Sequence, residues 1–169
     1  MSEKKIQIDY ELYHDISELP AEDAALLAEA REVTAQAYAP YSHFRVGAAA
    51  RTEKGIVKGT NQENASYPVG ICAERTLLST ASSIFPGLPL EVMAVSYHNE
   101  NGDSDTPVSP CGMCRQALLE YEGRGGKPMR LILSGQTGEV IVLKSVSDLL
   151  PFAFSEKQLK GEEEESLKV

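Results

Sequence analysis

FRVGAAARTEKGIVKGT (residues 44–60) is the stretch whose reading decides the fold. Phe44, Val46, Ala48 and Ala50 alternate with Arg45, Gly47, Ala49 and Arg51, the two-residue period of a strand. Thr52-Glu53-Lys54-Gly55 supplies a hairpin turn, and Ile56 to Thr60 a second strand. Upstream, Ala24, Leu27, Ala28, Ala30, Val33, Ala35 and Ala37 make an Ala-rich helical segment between Leu19-Pro20 and Tyr38-Ala39-Pro40. Downstream, residues 61–70 are a loop, and Cys72 to Ile84 a helix stopped by Phe85-Pro86-Gly87-Leu88-Pro89. Glu91 to Tyr97 is a buried strand, and Asn99 to Pro107 a polar loop. A third helix starts at Pro110 or Cys111 and runs to about Tyr121, where Gly123-Arg124-Gly125-Gly126 breaks it. Leu131 to Leu133 and Val140 to Leu143 are two more strands around Thr137-Gly138, and Ser147 to Pro151 closes the chain. The α-β-β-α-β-α-β-β order predicts an α/β fold with one sheet covered by helices on both faces.

A chain of 169 residues, 42% of them hydrophobic, is one domain with a real core. Its 25 acidic against 16 basic side chains give a net charge of −9, and no dense Lys/Arg run interrupts that balance. Nucleic acid is therefore not the expected partner, because binding it rests on a basic face that pairs with phosphates. A neutral small molecule fits better. No apolar stretch approaches the roughly 18 residues of a membrane span, and Met1 to Ile6 has no secretory apolar region. The expected compartment is the cytoplasm, where three cysteines stay reduced and free for metal or catalysis. Lys160-Gly161 and the four glutamates after them read as a solvated charge run.

The chemistry-bearing residues are Cys72-Ala73-Glu74 and Pro110-Cys111-Gly112-Met113-Cys114. A C-x-x-C pair puts two thiolates on one helical turn, close enough to share a tetrahedral zinc, and Cys72 supplies a third ligand from another helix start. Helix N-termini, with partial positive charge and free N–H groups, stabilise thiolates. Three protein ligands leave one position open, the mark of a catalytic zinc. The alternatives are a redox pair or a closed structural site, and the latter needs a fourth ligand from His14, His43 or His98. Glu74, two residues after a ligand, favours catalysis, although a glutamate in a first helical turn is ordinarily a surface residue. Three thiolates weaken zinc as a Lewis acid. The helix N-termini, Arg75 and Arg115 are expected to offset their charge, against the ordinary reading of those arginines as exposed ion pairs.

Together these motifs resemble the homotetrameric, zinc-dependent cytidine deaminases. The resemblance runs through Ala39 to Ala49, Asn61 to Pro68, Cys72 to Thr76, Ser109 to Gln116 and Leu149 to Phe154. It covers roughly residues 20–155, leaving 1–19 as an N-terminal extension and 156–169 as a charged C-terminal tail. It implies a three-layer α/β/α sandwich with a single mixed sheet and one zinc per subunit, held by Cys72, Cys111 and Cys114. It also implies hydrolysis of cytidine, and of deoxycytidine, to uridine or deoxyuridine and ammonia in pyrimidine salvage. Glu74 is the implied proton carrier from the attacking water to N3 and to the leaving amine. Asn61 and Glu63 would bond the ribose hydroxyls, Phe44 would pack on the pyrimidine, the Ala73 N–H would meet the base carbonyl, and the Ser109 carbonyl would face the amine. Phe154, with Tyr67, would complete a neighbouring subunit's pocket. On local pattern alone Phe44 is a core residue, Asn61 and Glu63 end a strand, and Phe154 seals the last element. Arg45 stands where the family usually has proline, and Met113 where a small residue is usual. Blasticidin S deaminases share the three-cysteine site; the Phe44-x-Val-Gly-Ala-Ala and Asn61-x-Glu63-Asn motifs favour cytidine. A polynucleotide deaminase would need a basic channel this acidic chain lacks, and a zinc-stabilised binding module would need four protein ligands.

Overall fold

Small residues on two neighbouring strands set how closely the layers approach. In the computed structural model, which describes residues 1–160, strand β2 (Phe44–Thr52) carries Gly47-Ala48-Ala49-Ala50 through the middle of the sheet. A Cβ on Gly47 would collide with the carbonyl of Ala30 in helix α1 (Ala21–Val33). On strand β3 (Gly55–Thr60), a Cβ on Gly59 would lie 2.6 Å from the Ala73 carbonyl in helix α2 (Ala73–Ile84). Helices therefore press onto the hairpin from both sides.

The remaining elements are β1 (Tyr10–Tyr13), β4 (Val92–Asn99), α3 (Gly112–Gly125), β5 (Arg130–Ser134), β6 (Val140–Leu143) and the short α4 (Glu156–Lys160). The six strands form one sheet in the order β1-β6-β5-β4-β2-β3. Only β4 and β5 are parallel; the other neighbours are antiparallel, so the sheet is mixed. The β2–β4 register sets Ala48 beside Val95 and Ala50 beside Met93.

The strands' alternation sorts side chains into two cores. Ala49, Val92, Ala94, Ile132, Val140 and Val142 pack with Leu26, Leu27 and Ala30 of α1. Their neighbours Ala48, Ala50, Met93, Val95, Leu131 and Leu133 pack with Leu77 and Ala81 of α2 and Leu118 of α3. Central strands buried on both faces read as continuous apolar runs, which is what 92–95 and 131–133 are. The result is the expected three-layer α/β/α sandwich.

Three details differ from the sequence reading. Residues 10–13, set aside in an N-terminal extension, form edge strand β1, with Glu11 opposite Val142 and Leu12 opposite Ile141. Leu19, from the same stretch, is buried under α1. Three of the four β1 residues are exposed, so backbone pairing rather than an apolar pattern makes this strand. The first helix ends at Val33 in a tighter 3-10 turn, Thr34–Gln36, and Tyr38 then bridges to Gln62. Finally, α3 continues through Gly123 to Gly125. It stops where Gly126 takes a left-handed φ of 63° and its N–H donates to the Glu122 and Gly123 carbonyls. The glutamates of the tail lie outside the described residues. No described helix is long and apolar enough to cross a membrane.

Candidate metal centre and active site

Cys72 and Cys111 are the N-cap residues of α2 and α3, both in extended backbone, and neither side chain caps its own helix. Their sulfurs are thus left for another task, and the first N–H groups of both helices, which have no partners within the helix, face the same place. Cys114 sits one turn into α3 and is fully buried. The three Sγ atoms lie within 4.8 Å of one another, with Cys72–Cys111 at 3.8 Å and Cys111–Cys114 at 3.5 Å. Zinc at about 2.3 Å from tetrahedral sulfur ligands requires sulfurs about 3.8 Å apart. The donor set fits that ion.

No histidine joins the sulfurs among the described residues. His43 Nδ1 lies 3.0 Å from Glu100 Oε2, and His14 faces Glu139 at 4.0 Å. Among the described residues, no histidine or carboxylate joins the three sulfurs as a fourth ligand.

The electrostatics of the sulfur cluster follow from its geometry. The Cys72 thiol is lowered to about 6, chiefly by its hydrogen bond with Cys114 and further by Cys111 and the Arg75 guanidinium. Burial and the Glu74 carboxylate oppose that shift. Cys114 moves the other way, because its hydrogen bond to Cys72, its burial and the Glu74 charge all favour the thiol. Glu74, in the first turn of α2, is 4% exposed, and burial raises its carboxyl above the ordinary range. A buried carboxyl beside a Lewis-acid site can take a proton and return it.

A cleft of about 440 Å³ opens over this cluster. Cys72, Glu74 and Cys111 form part of its floor, and Phe44, Asn61, Glu63, Tyr67, Ser109 and Met113 line it. The Phe44 ring stacks on Tyr97, with centroids 4.7 Å apart and planes 10° from parallel. The Asn61 amide accepts from Val46 N at 2.7 Å and donates to Phe44 O at 2.9 Å, which keeps β2 in place while one donor hydrogen and one lone pair remain for a ligand. Glu63 Oε2 accepts from Tyr41 N at 2.8 Å and Ser42 N at 3.3 Å. Ala73 is fully buried at the start of α2. Phe154 is 58% exposed and does not line this cleft; its carbonyl accepts from Gln116 Nε2 at 2.9 Å.

Arg115 is bonded to main-chain carbonyls. Its Nε donates to Pro110 O at 2.8 Å and its Nη1 to Leu149 O at 3.1 Å, tying the loop before Cys111 to the C-terminal segment. Tyr41 was not singled out from the sequence, yet it lines the cleft and meets Tyr67 edge-on with centroids 6.2 Å apart. It lies in a loop without periodicity, so its only signal is its place between Pro40 and Phe44.

Residues 20–124 match the model of the cytidine and deoxycytidylate deaminase zinc-binding region. The cytidine deaminase of Sporosarcina psychrophila is 42% identical over 138 residues, covering 79% of this chain and 92% of that protein. That of Halalkalibacterium halodurans is 38% identical over 135 residues, covering 79% and 95%. Among solved structures, the cytidine deaminase of Burkholderia pseudomallei superimposes with a TM-score of 0.67 at 39% identity, over 80% of this chain and all of that one. Two helix starts, three sulfurs at zinc spacing and a buried glutamate beside them thus coincide with what the comparisons find: the chain belongs to the zinc-binding cytidine and deoxycytidylate deaminase family.

Proposed function

We propose that the protein hydrolyses cytidine, and deoxycytidine, to the corresponding uridine nucleoside and ammonia. The observation that carries this reading is the buried Glu74 on the floor of a nucleoside-sized cleft, beside three sulfurs at zinc spacing. Cys72, Cys111 and Cys114 would hold zinc, which would supply Lewis acidity to the attacking water. Glu74 accepts the proton of the attacking water, passes it to N3 of the base, and carries a further proton to the departing amine. Phe44 packs against the pyrimidine, Asn61 and Glu63 bond the ribose hydroxyls, the Ala73 N–H meets the base carbonyl, and the Ser109 carbonyl receives the amine. Arg75 and the two helix N-termini offset the thiolate charge, in keeping with the arginine's lowering of Cys72.

The exposure of Phe154 supports its reaching a neighbouring subunit's cleft in a homotetramer. Free cysteines arranged for metal agree with a reducing cytoplasm and a role in pyrimidine salvage. Ultraviolet monitoring with cytidine, deoxycytidine, cytosine and blasticidin S, with and without chelator, tests the assignment. Cytidine should turn over and chelator should stop it. Free cytosine should be far poorer, because polar groups built for a hydroxyl are left unpaired without it. Comparable kcat/KM for cytosine and cytidine would remove the ribose assignment; turnover of blasticidin S alone would replace the substrate.

A further inference from the structure

Residues 37–43 carry Tyr41 to the edge of the cleft on a segment outside the helices and strands, so something must hold it. At its middle, Glu63 Oε2 receives the Tyr41 and Ser42 N–H groups. At its two ends a different cluster acts. Arg45 Nη1 donates to the Ala37 carbonyl at 2.7 Å, while its Nε bonds Glu100 Oε1. The other Glu100 oxygen lies 3.0 Å from His43 Nδ1, and the Glu100 N–H donates to the His43 carbonyl at 3.0 Å. Asn101 Nδ2 adds a bond to Ser42 O at 3.3 Å. His43 sits at a φ of 56°, a left-handed conformation that a residue with a Cβ keeps only when its surroundings require it.

Arg45 therefore spans the loop, gripping Ala37 where it begins and, through Glu100, His43 where it ends. A planar guanidinium presents several donors in a fixed fork, and one side chain can serve a carbonyl and a carboxylate at once. Between those anchors lie Tyr41 and the two N–H groups that orient Glu63. We propose that Arg45 and Glu100 are positioning residues for the ribose end of the substrate, acting through the 37–43 loop on Glu63 and Tyr41. This rests on the reading of Glu63 as a ribose contact.

Steady-state kinetics on the full chain, with zinc content and Tm measured in parallel, separate the two ideas. Arg45→Gln should raise KM for cytidine about threefold to fivefold, the range of a partly exposed ion pair, with kcat within about twofold and zinc retained. Arg45→Lys keeps the charge but loses the fork, and should fall between. Glu100→Gln should raise KM as Arg45→Gln does. Glu63→Gln should raise KM by itself and abolish the further effect of Arg45→Gln, since both act on one contact. If Glu63→Gln raises KM while Arg45→Gln and Glu100→Gln lower only Tm, the positioning role is overturned and the ribose reading stands. If Glu63→Gln leaves KM unchanged, the ribose reading fails. A KM increase from Arg45→Gln that persists undiminished in the Glu63→Gln background overturns the route through Glu63.

Discussion

Cys72 Sγ and Cys111 Sγ stand 3.8 Å apart although they lie 39 positions apart in the chain. Each is the cap of a helix, and the two helices pack on the same face of the sheet through Leu77, Ala81 and Leu118. The metal site is thus the meeting point of two helix N-termini, placed by the packing of both helices on the sheet, with Cys114 itself buried in the core.

Glu74→Gln keeps the side chain's size but removes the carboxyl that we propose takes and returns protons. We expect kcat to fall by at least about 10²-fold, as general acid–base catalysis is worth 10²–10⁴, with zinc still bound. Metal analysis beside the kinetics checks it. Wild-type turnover in a zinc-loaded variant would exclude Glu74 as the proton carrier.

Cys111→Ala should fail differently. With two sulfurs left, zinc is lost on purification, and activity does not return when zinc is added at stoichiometric concentration. Stripping wild type with a chelator should lower its Tm, because a ligand bound only by the native state stabilises it. Returning zinc should restore both Tm and activity. A variant holding one zinc per chain would show that Cys111 is not a ligand.

Gly59→Ala probes how β3 seats α2. The added Cβ would lie 2.5 Å from Leu77 N and 2.6 Å from Ala73 O, both backbone atoms that cannot rotate away. Overpacking of this kind costs about 1–3 kcal/mol, and for a chain of this size each kcal/mol lowers Tm by about 2–4 °C. The displaced helix start carries Cys72, so weaker zinc retention should accompany the lower Tm. Calorimetry and metal titration read the two effects, and an unchanged Tm would mean that α2 is not seated by this contact.

Acid should release the 37–43 loop. Hydrogen bonds from Ser42, first its side chain, and from the Tyr41 and Ser42 N–H groups hold the Glu63 carboxyl below its ordinary value of 4.5. A value depressed in the folded state contributes stability that is present above 4.5 and lost as pH falls through the folded value. Carboxyl titration by NMR should find Glu63 below 4.5, and Ser42→Ala should move it upward. A Glu63 titrating at or above 4.5 in the folded protein would contradict the contact.

Much of the site was legible because its residues obey local rules. The thiol spacing of Cys111 and Cys114 is set by one helical turn, and Cys72 and Glu74 share another, so four chemical groups were readable before any fold was known. The hairpin of β2 and β3 was readable from its two-residue period and its turn. Edge strand β1 was not, because three of its four residues are exposed and its pairing with β6 is a backbone interaction between segments about 130 positions apart. The hydrogen-bond partners of Arg115 were not legible for a related reason. Its partners are the carbonyls of Pro110 and Leu149, and a main-chain acceptor leaves no trace in side-chain pattern.

By itself, then, the order of residues determined the elements other than β1, the donor set and the carboxyl group beside it, since helical periodicity and cap position act over a few neighbours. Tertiary structure decided that Cys72 meets Cys111 at zinc spacing, that Glu74 is buried, and that Tyr41 lines the cleft on a loop bonded by Glu63, Arg45 and Glu100. The reason is physical: distances between sulfurs on different helices, and the dielectric around a carboxyl, are set by packing across the sheet.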